Sequence, residues 1–466
     1  MTLLGTSLDP RDPAYLEGRG ITLQWLAALE SALDEARAGG GEKWVTRHHA
    51  RGKLLPRERI EMLLDQDSPF LELSAVAAWR SEFPVGASVV TGIGAVEGVE
   101  CVVIANDPTV NGGAVNPYTA EKIRRAARIA SENRLPLVNL VESAGEAAPA
   151  GSIARELSRL TSHRVPTVCV VFGATSGDAA YLPALSDYTI VVRGHAKVLT
   201  IHPQRTGVEV RATPVVPAGP PGPADQLAED ERDGLRLARQ CVRRLNWRKQ
   251  GPPPRTTSPR EPRYDTEALL TLAAMEPARF DPREVLARIL DDSDFDEFKP
   301  GQGSVLVAGW GELHGYPVGV LASPGIWLSP AESRKAVHFL QLANATTTPV
   351  IFLKHHSETR HHTETRPRNE TKSDDDVRHD APLVHAVAKS TVPHLVLTIG
   401  PESGGTPAHA DQPRFQFSWP RPPAEPAAAD DGVIDPRDTR TVLGLCLSAV
   451  HSAAVAGAEH VGVFRP

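Results

Sequence analysis

The feature that most constrains the fold is a sequence pattern that occurs twice. Segment 92–98 has glycines at its first, third and last positions and precedes the aliphatic run 101–105. Segment 309–315 repeats these glycines 217 residues later and precedes the aliphatic run 317–322. Both patterns predict a strand, a tight turn and a second strand, because β-branched and aliphatic residues favour extended chain. A chain that repeats such a unit is expected to contain two copies of one fold.

The elements on either side of this hairpin recur in the same order. Upstream, each copy has an amphipathic helical pattern, an Asp/Ser turn and a short strand (58–73 and 284–298). Downstream, each has a helical pattern (120–133 and 331–345) and then two apolar strands (135–141 and 165–173, 348–353 and 392–400). Strands that alternate with helices and are apolar throughout predict a mainly parallel sheet covered by helices. The predicted fold class is therefore α/β, with two tandem domains related by internal duplication.

The predicted domain boundary is the proline-rich segment 251–262, which we interpret as a stiff linker. It divides the chain into an N-terminal domain of residues 1–250 and a C-terminal domain of residues 263–466. A chain of 466 residues is long enough for two domains of about 200 residues each.

Composition excludes several function classes. A net charge of −7 gives no electrostatic case for nucleic acid as the main partner. No apolar stretch approaches the roughly 18 residues of a membrane span, and no cationic start precedes an apolar run, so we expect a cytoplasmic protein. The four cysteines form no CxxC pair and predict reduced thiols, with Cys101 and Cys169 in the core.

Two turns between a strand and a helix are the first candidates for chemistry. Segments 142–146 and 173–181 of the first copy are rich in small residues. Small residues let the backbone approach a ligand, and the start of a helix offers free N–H groups and a positive dipole. This arrangement suits an enolate or thioester oxygen. The same composition also fits a tight β–α turn that binds nothing.

Other candidate sites are weaker. The glycines of segment 92–98 lead into a strand rather than a helix, which argues against a dinucleotide site. No GxSxG elbow of a serine hydrolase is present. A metal site is conceivable in the His- and Asp-rich stretch 355–379, but its low complexity favours a solvated loop, and we predict no metal site. Arg51 and Lys53 could hold the phosphates of a nucleotide-containing cofactor, or lie on a solvated basic face.

Four segments carry a resemblance to a known family: 50–60, 104–110, 413–420 and 431–440. In them the sequence resembles the carboxyltransferase (β) subunit of biotin-dependent acyl-CoA carboxylases of the propionyl- and methylcrotonyl-CoA type, as a divergent member. The resemblance covers nearly the whole chain in collinear order. It implies two tandem crotonase-like (ClpP-like) domains.

The resemblance also implies a reaction and its partners. Carboxybiotin on a partner carrier protein gives its carboxyl group to an acyl-CoA, whose enolate is held by backbone N–H groups. The implied partners are the biotin carboxylase and biotin carrier subunit, with assembly into a homo- or hetero-oligomer of β-type subunits. By resemblance, the enolate site falls on Ala144, Gly145 and Asp178-Ala179-Ala180, the biotin site on Gly400, Gly404 and Gly405, and the CoA phosphate contacts on Arg51 and Lys53.

The sequence departs from the family pattern at both predicted oxyanion sites. Glu146 and Asp178 place carboxylates beside the enolate site, where Coulomb repulsion opposes an oxyanion. Pro401 lacks an N–H group, and Glu402 adds charge beside the biotin site. Three hypotheses therefore stay open. The chain is a working carboxyltransferase, a degenerate subunit that pairs with an intact β subunit, or a biotin-independent acyl-CoA decarboxylase.

Overall fold

The fold is described from a computed structural model of the chain. The structure describes residues 2–143, 152–175, 179, 181–194, 197–199, 212–214, 224–276, 279–323, 329–355, 374–399, 413–421 and 431–457. They form two compact units. The first unit is Glu30–Lys249, and the second combines the chain start up to Leu29 with the described residues from Gln250 onward.

The regular elements are numbered in chain order. The described strands are β1 (Thr2–Leu3), β2 (Phe70–Leu73), β3 (Val89–Val96), β4 (Val99–Asn106), β5 (Leu137–Ser143), β6 (Thr167–Thr175), β7 (Tyr188–Val192), β8 (Lys197–Leu199), β9 (Ala212–Pro214), β10 (Gln226–Ala228), β11 (Asp294–Glu297), β12 (Val307–Leu313), β13 (Tyr316–Ser323), β14 (Val350–His355), β15 (His394–Ile399), β16 (Phe415–Ser418) and β17 (Gly432–Val433). The described α-helices are α1 (Pro13–Ala38), α2 (Glu42–His49), α3 (Pro56–Leu63), α4 (Pro117–Asn133), α5 (Ser152–Ser162), α6 (Leu182–Leu185), α7 (Glu231–Arg244), α8 (Leu269–Ala273), α9 (Pro282–Ile289), α10 (Pro330–Ala345), α11 (Asp374–Lys389) and α12 (Thr439–Val450).

Each unit contains one sheet, and the two sheets have the same plan. In the first unit β2, β3 and β4 pair antiparallel, after which β5, β6, β7 and β10 continue in parallel. In the second unit β11, β12 and β13 pair antiparallel, and β14 to β17 continue in parallel. The change from antiparallel to parallel comes at the same element in both, which confirms the predicted duplication and the mainly parallel sheets.

The duplication extends to single side chains at the hairpin turns. In the first unit the Asp65 carboxylate accepts hydrogen bonds from the N–H groups of Glu97 and Gly98, at 2.8 and 2.7 Å. In the second, the Asp291 carboxylate accepts them from His314 and Gly315, at 3.0 and 2.7 Å. The turn glycines have φ of +74° and +76°, a conformation that glycine adopts readily.

Each of these carboxylates also pairs with an arginine on the last helix of its unit. Asp65 lies 2.8 Å from the guanidinium of Arg239 on α7, and Asp291 lies 2.7 Å from that of Arg440 on α12. In both units, therefore, one aspartate just after a helix contacts both the hairpin turn and an arginine on the last helix.

The strand glycines that reveal the duplication are required by packing. A Cβ atom on Gly92 would lie 2.3 Å from the ring of Phe70, and one on Gly309 would lie 2.5 Å from the ring of Phe295. Both phenylalanines lie on the strand that pairs with the first strand of the hairpin, β2 and β11 respectively. In both units, therefore, a phenylalanine ring packs directly over a glycine of the neighbouring strand. Any other residue at that position would clash with the ring, because a Cβ atom does not approach other atoms so closely.

The structure differs from the sequence analysis at the chain start and at the linker. Residues up to Leu29 belong to the second unit, where β1 pairs with β11, whereas the sequence analysis assigned them to the N-terminal domain. Helix α1 was not predicted. The proline-rich segment is held against the second unit, since Gly251 and Arg255 donate backbone hydrogen bonds to His451 and Gly315. The main division, near residue 250, lies where that segment begins.

Candidate active site

The carboxyl ends of β5 and β6 lie side by side in the first unit and define the candidate site. Ser143 and Thr175, the last residues of these strands, are register partners. The Ser143 hydroxyl donates a 2.7 Å hydrogen bond to the carbonyl of Gly113, in the loop after β4. Thr175 is fully buried, and its hydroxyl has no hydrogen-bond partner among the described residues. In α/β sheets ligands bind at the carboxyl ends of parallel strands, so this edge is where a substrate is expected.

Gly113 brings the loop after β4 against the end of β5. Its φ is +75°, and a Cβ there would lie 2.5 Å from the carbonyl oxygen of Glu142. Asn111 and Gly112 also have positive φ, so three consecutive residues adopt the left-handed conformation that glycine and asparagine tolerate best. The loop geometry therefore depends on these residue types.

The predicted oxyanion residues are mostly outside the described part of the chain. Ala144, Gly145, Asp178 and Ala180 on the enolate side, and Gly400, Gly404 and Gly405 on the biotin side, lie outside the described residues. Ala179 is described and is buried. The structure thus places the strand ends that lead into these segments, and the assignment of individual oxyanion donors stays a prediction.

Directly beneath the strand ends lies a buried cluster of four charges: Lys53, Arg59, Glu142 and Glu231. Glu142 on β5 forms ion pairs with the ammonium of Lys53 and, at 2.7 Å, with the guanidinium of Arg59. Arg59 also forms a 2.8 Å ion pair with Glu231, the first residue of α7. Its side chain is 0% exposed, with the guanidinium 4.3 Å from the centre of the Phe172 ring. Such pairs are stable in a protein interior only when both charges are compensated.

The cluster fixes the ionisation of Glu142. Burial raises the pKa of this carboxyl, but the charges of Arg59 and Lys53 and their hydrogen bonds outweigh that effect, so its pKa lies below the ordinary value. The carboxylate also explains Gly173 on β6, because a Cβ there would lie 2.5 Å from its oxygen. The side chain of Glu142 on β5 therefore packs against Gly173 on β6, close to the carboxyl ends of both strands.

The structure separates the two residues predicted to contact CoA phosphates. The ammonium of Lys53 is buried, and besides Glu142 it donates a 3.0 Å hydrogen bond to the carbonyl of Phe172. Arg51 is exposed and lines a surface cleft. The phosphate contacts of Arg51 and Lys53 stay predictions, of which the exposed position of Arg51 allows a contact with a ligand, whereas the ammonium of Lys53 is already engaged by Glu142 and Phe172.

The cleft has a volume of about 620 Å³ and lies entirely within the first unit. Its lining residues are Gly39, Gly40, Trp44, Arg47, His48, Arg51, Pro84, Pro108, Thr109, Val110, Asn111 and Gly112. No Asp or Glu side chain is among these described lining residues. One end of the cleft is the loop 110–112, which continues into Gly113 and so reaches the end of β5.

A glycine turn between α1 and α2 closes against the other wall of the cleft. The N–H of Gly40 donates a 3.0 Å hydrogen bond to the Thr109 hydroxyl, and a Cβ on Gly40 would lie 1.9 Å from the Thr109 carbonyl. Sequence analysis missed this wall and Trp44. The available signal was the run Gly39-Gly40-Gly41 followed by a tryptophan among basic residues.

The second unit has a different contact at the equivalent corner. His355, the last residue of β14, has a side chain that is 1% exposed. Its ring lies 4.4 Å from that of Phe280, and its Nε2 is 3.1 Å from the carbonyl of Met275. The sequence analysis placed His355 in a solvated loop, which is wrong because the β-strand continues through it. The other histidines of that stretch, His356, His361 and His362, lie outside the described residues.

Comparison with known proteins decides the family. The carboxyl transferase domain family matches residues 47–420. The chain belongs to the carboxyl transferase family. It is 42% identical to a protein of Mycobacterium tuberculosis named "probable biotin-dependent acyl-coenzyme A carboxylase beta2 subunit", over 99% of this chain and 100% of that protein. It is 32% identical to the mitochondrial methylcrotonoyl-CoA carboxylase beta chain of Dictyostelium discoideum, over 99% of this chain and 91% of that one.

A solved structure agrees with these relatives. The beta subunit of Pseudomonas aeruginosa geranyl-CoA carboxylase superposes on this carboxyltransferase with a TM-score of 0.81 at 31% identity, over 99% of this chain and 100% of that chain. The predicted family and the two-domain crotonase-like fold are therefore confirmed. The chain is a carboxyltransferase of the acyl-CoA carboxylase β-subunit type.

Two further features of the carboxyltransferase concern thiols and membranes. All four cysteines lie in the described part of the chain, where they are buried and form no disulfide, with Cys101 and Cys169 in the core as predicted. None of the helices within the described ranges is both long and apolar enough to cross a bilayer.

Proposed function

We propose that this carboxyltransferase accepts a carboxyl group from carboxybiotin on a partner carrier protein and transfers it to an acyl-CoA. The acyl-CoA loses a proton from its α-carbon, or from a vinylogous carbon, and the resulting enolate attacks the carboxyl carbon. Carboxybiotin supplies the electrophilic carboxyl group as its N–C bond breaks, and the freed ureido nitrogen takes up the proton from the acyl-CoA, so that biotin is released. In this proposal the chain provides backbone N–H groups beyond the ends of β5 and β6, which stabilise the negative charge on the thioester oxygen.

The observation that carries the proposal is the identity over nearly the full length with carboxylase β subunits. The Mycobacterium tuberculosis relative is named as a subunit of a biotin-dependent acyl-CoA carboxylase, and the Dictyostelium relative as a chain of methylcrotonoyl-CoA carboxylase. The geometry supports it, since two parallel strands end side by side next to a buried charged cluster, and the loop that lines one end of a basic cleft continues into Gly113, which lies against the end of β5. Precise positioning of such donors matters because a displacement of about 1 Å can cost 10²-fold in rate.

The proposal extends to partners. By analogy with the relatives, the chain works with a biotin carboxylase and a biotin carrier subunit and assembles into a homo- or hetero-oligomer of β-type subunits. We place it in the cytoplasm, where its four cysteines, which form no disulfide in the structure, remain reduced. Subcellular fractionation and sedimentation of the purified chain test these two points.

The deciding experiment measures incorporation of labelled bicarbonate into acetyl-, propionyl-, methylcrotonyl- and geranyl-CoA. The purified chain is combined with a biotin carboxylase and biotinylated carrier, with and without ATP. ATP-dependent labelling of one ester supports the proposal. No labelling of any ester, together with co-purification of an intact β subunit, would establish the degenerate-subunit alternative. Release of CO₂ from a malonyl-type CoA without biotin would establish the decarboxylase alternative.

A further inference from the structure

The amino ends of β5 and β6, at the opposite end of these strands from the candidate site, carry an arginine in two equivalent turns. Arg134 follows α4 and Arg164 follows α5, and each precedes one buried residue and a proline. Their φ angles are +54° and +56°, which is uncommon for residues other than glycine. Leu137 and Thr167, three positions further on, are register partners, so the two turns lie side by side on neighbouring strands.

The second unit shows that this turn does not itself require arginine. Its equivalent turns, before β14 and β15, have Thr347 and Thr391 in the same place ahead of a buried residue and a proline. Thr347 also has a positive φ, of +52°. An uncharged residue therefore satisfies the backbone geometry in the second copy, and the two guanidinium groups of the first unit have another use.

The segment after α7 brings more arginines to the same end of the first sheet. The indole N–H of Trp247 donates a 3.1 Å hydrogen bond to the Arg134 carbonyl, and the Cζ atom of Arg134 lies 3.6 Å from the centre of the indole ring. The Arg134 guanidinium in turn donates a 3.0 Å hydrogen bond to the Arg248 carbonyl. Trp247 thereby fixes the chain just after Arg243 and Arg244, the last two residues of α7, against the turn before β5.

We define the arginine face as the four exposed arginines at this end of the first unit: Arg164, Arg243, Arg244 and Arg248. No salt bridge of any of the four occurs in the part of the chain that the structure describes. Glu100, at the same end of β4, pairs with Lys249 at 2.9 Å. Asp187 accepts hydrogen bonds from the N–H and hydroxyl of Thr167. In a chain with a net charge of −7, four uncompensated positive charges form a local surface that attracts anions.

The class of anion follows from the chemistry of guanidinium groups and from the position of the arginine face. Guanidinium groups bind carboxylates through paired hydrogen bonds, and complementary charges of this kind steer the association of two proteins. β5 has seven residues, so at about 3.3 Å per residue its two ends are about 20 Å apart. A protein bound at the arginine face therefore leaves the carboxyl edge of the sheet open for reaction.

We propose that the arginine face docks an acidic segment of the partner subunit that carries biotin. Aspartate and glutamate side chains of that segment pair with the exposed guanidinium groups, and the candidate site stays accessible to the acyl-CoA and to biotin. The inference rests on the proposed function, in which such a partner delivers carboxybiotin. It assigns to the amino edge of the first unit a role in partner binding that the second unit, with threonines in the equivalent turns, does not share.

The test separates docking of the partner from the chemistry on biotin. Arg164→Glu combined with Arg244→Glu reverses two charges of the arginine face, and Arg164→Gln combined with Arg244→Gln removes them with less repulsion. Arg11→Glu combined with Lys389→Glu is the matched control, because it changes the net charge equally at exposed residues of the second unit. Reactions use the purified biotin carboxylase and biotinylated carrier, or free biotin, which accepts the carboxyl group of a malonyl-type CoA in the reverse direction.

In the charge-reversal variant the KM for the carboxylated carrier is expected to rise about tenfold, and in the glutamine variant several-fold. The wild-type KM is expected to rise with salt between about 50 and 300 mM, and this dependence is weaker in both variants. Carboxyl transfer to free biotin stays within about twofold of wild type in every variant, and the control keeps the wild-type KM for the carrier.

A carrier KM that is unchanged by charge reversal would overturn the inference, as would an equal loss of activity with free biotin or an equal rise in KM in the control. Single-stranded DNA that binds the wild-type chain at physiological salt, but not the charge-reversal variant, would assign the arginine face to nucleic acid instead. If the wild-type chain transfers carboxyl groups neither to the carrier nor to free biotin, the proposed function fails. Calorimetric titration of the carrier subunit then still tests docking: tenfold weaker binding to the charge-reversal variant supports it, and equal binding overturns it.

Discussion

Glu142 and His355 take the same register position in the two units, and their contacts differ in kind. Each lies five residues after the first residue of its strand, at the edge where the parallel strands end. Glu142 lies in a cluster of buried charges with Lys53 and Arg59, whereas His355 stacks on the ring of Phe280. The duplicated scaffold thus carries a charged support under one candidate site and an aromatic support under the other.

Replacing Glu142 by glutamine is expected to destabilise the first unit by about 3 kcal/mol, because Lys53 and Arg59 then remain buried with one carboxylate fewer. The pKa of Glu142 lies below its ordinary value of 4.5 in the folded chain. Its contribution is therefore present above pH 4.5 and is lost as the pH falls through the lowered pKa. Urea unfolding at several pH values should show the difference between wild type and Glu142→Gln narrowing in acid. A difference that stays constant down to pH 3 would contradict this assignment.

Arg51 and Lys53, two residues apart, are expected to have opposite phenotypes. Arg51→Ala leaves the free energy of unfolding within about 0.5 kcal/mol of wild type, since the residue is exposed, and raises the KM for acyl-CoA several-fold to about tenfold. Lys53→Met lowers stability by roughly 3 kcal/mol because Glu142 loses a buried partner. Steady-state kinetics and urea unfolding on both variants separate the two roles. If both variants raised the KM equally, Lys53 would be assigned to the phosphate site together with Arg51.

The repeated pattern was readable from the sequence because it records local requirements. Gly92 and Gly309 need no Cβ where a phenylalanine ring crosses, and Gly98 and Gly315 need positive φ in a turn. Such constraints fall on neighbouring residues, so periodicity and glycine spacing expose them. The order of strands and helices followed from the same signals.

The buried charge cluster could not be predicted in the same way. Lys53 and Glu142 are 89 residues apart, and neither local sequence indicates that the two side chains form an ion pair. A basic residue beside Arg51 at the start of a helix fits a phosphate contact as well as a buried ion pair. The pairing of β1 with β11 has the same cause, since it joins residues almost 300 positions apart and depends on tertiary packing alone.

Asp65 and Asp291 perform the same task at different depths, so their removal should differ in cost. Asp291 and Arg440 are each 6% exposed, and Asp291→Ala is expected to cost about 3 kcal/mol because the buried guanidinium keeps only the exposed Glu261, 3.4 Å away, as an ionic partner. Asp65 and Arg239 are 26% exposed, and Asp65→Ala is expected to cost about 1 kcal/mol, because solvent screens that pair. Denaturant unfolding of the two single variants measures both values. A larger loss in Asp65→Ala would show that burial does not set the strength of this duplicated contact.

His394, the first residue of β15, is expected to make the second unit sensitive to mild acid. Burial lowers its pKa to about 4, and the charges of Arg414 and Lys354 add to the effect. In the unfolded chain this histidine has a pKa of 6.5, so between pH 6.5 and pH 4 it is protonated in the unfolded chain and neutral in the folded chain. The free energy of unfolding therefore falls as the pH drops from 6.5 to 4. A shift of this size corresponds to a loss on the order of 3 kcal/mol. His394→Gln keeps an amide that can bond with the Ser390 hydroxyl, which lies 2.8 Å from the imidazole Nε2, but it cannot titrate. Unfolding free energies measured every half pH unit should therefore be flatter for this variant, and parallel curves for variant and wild type would assign the acid sensitivity to another group.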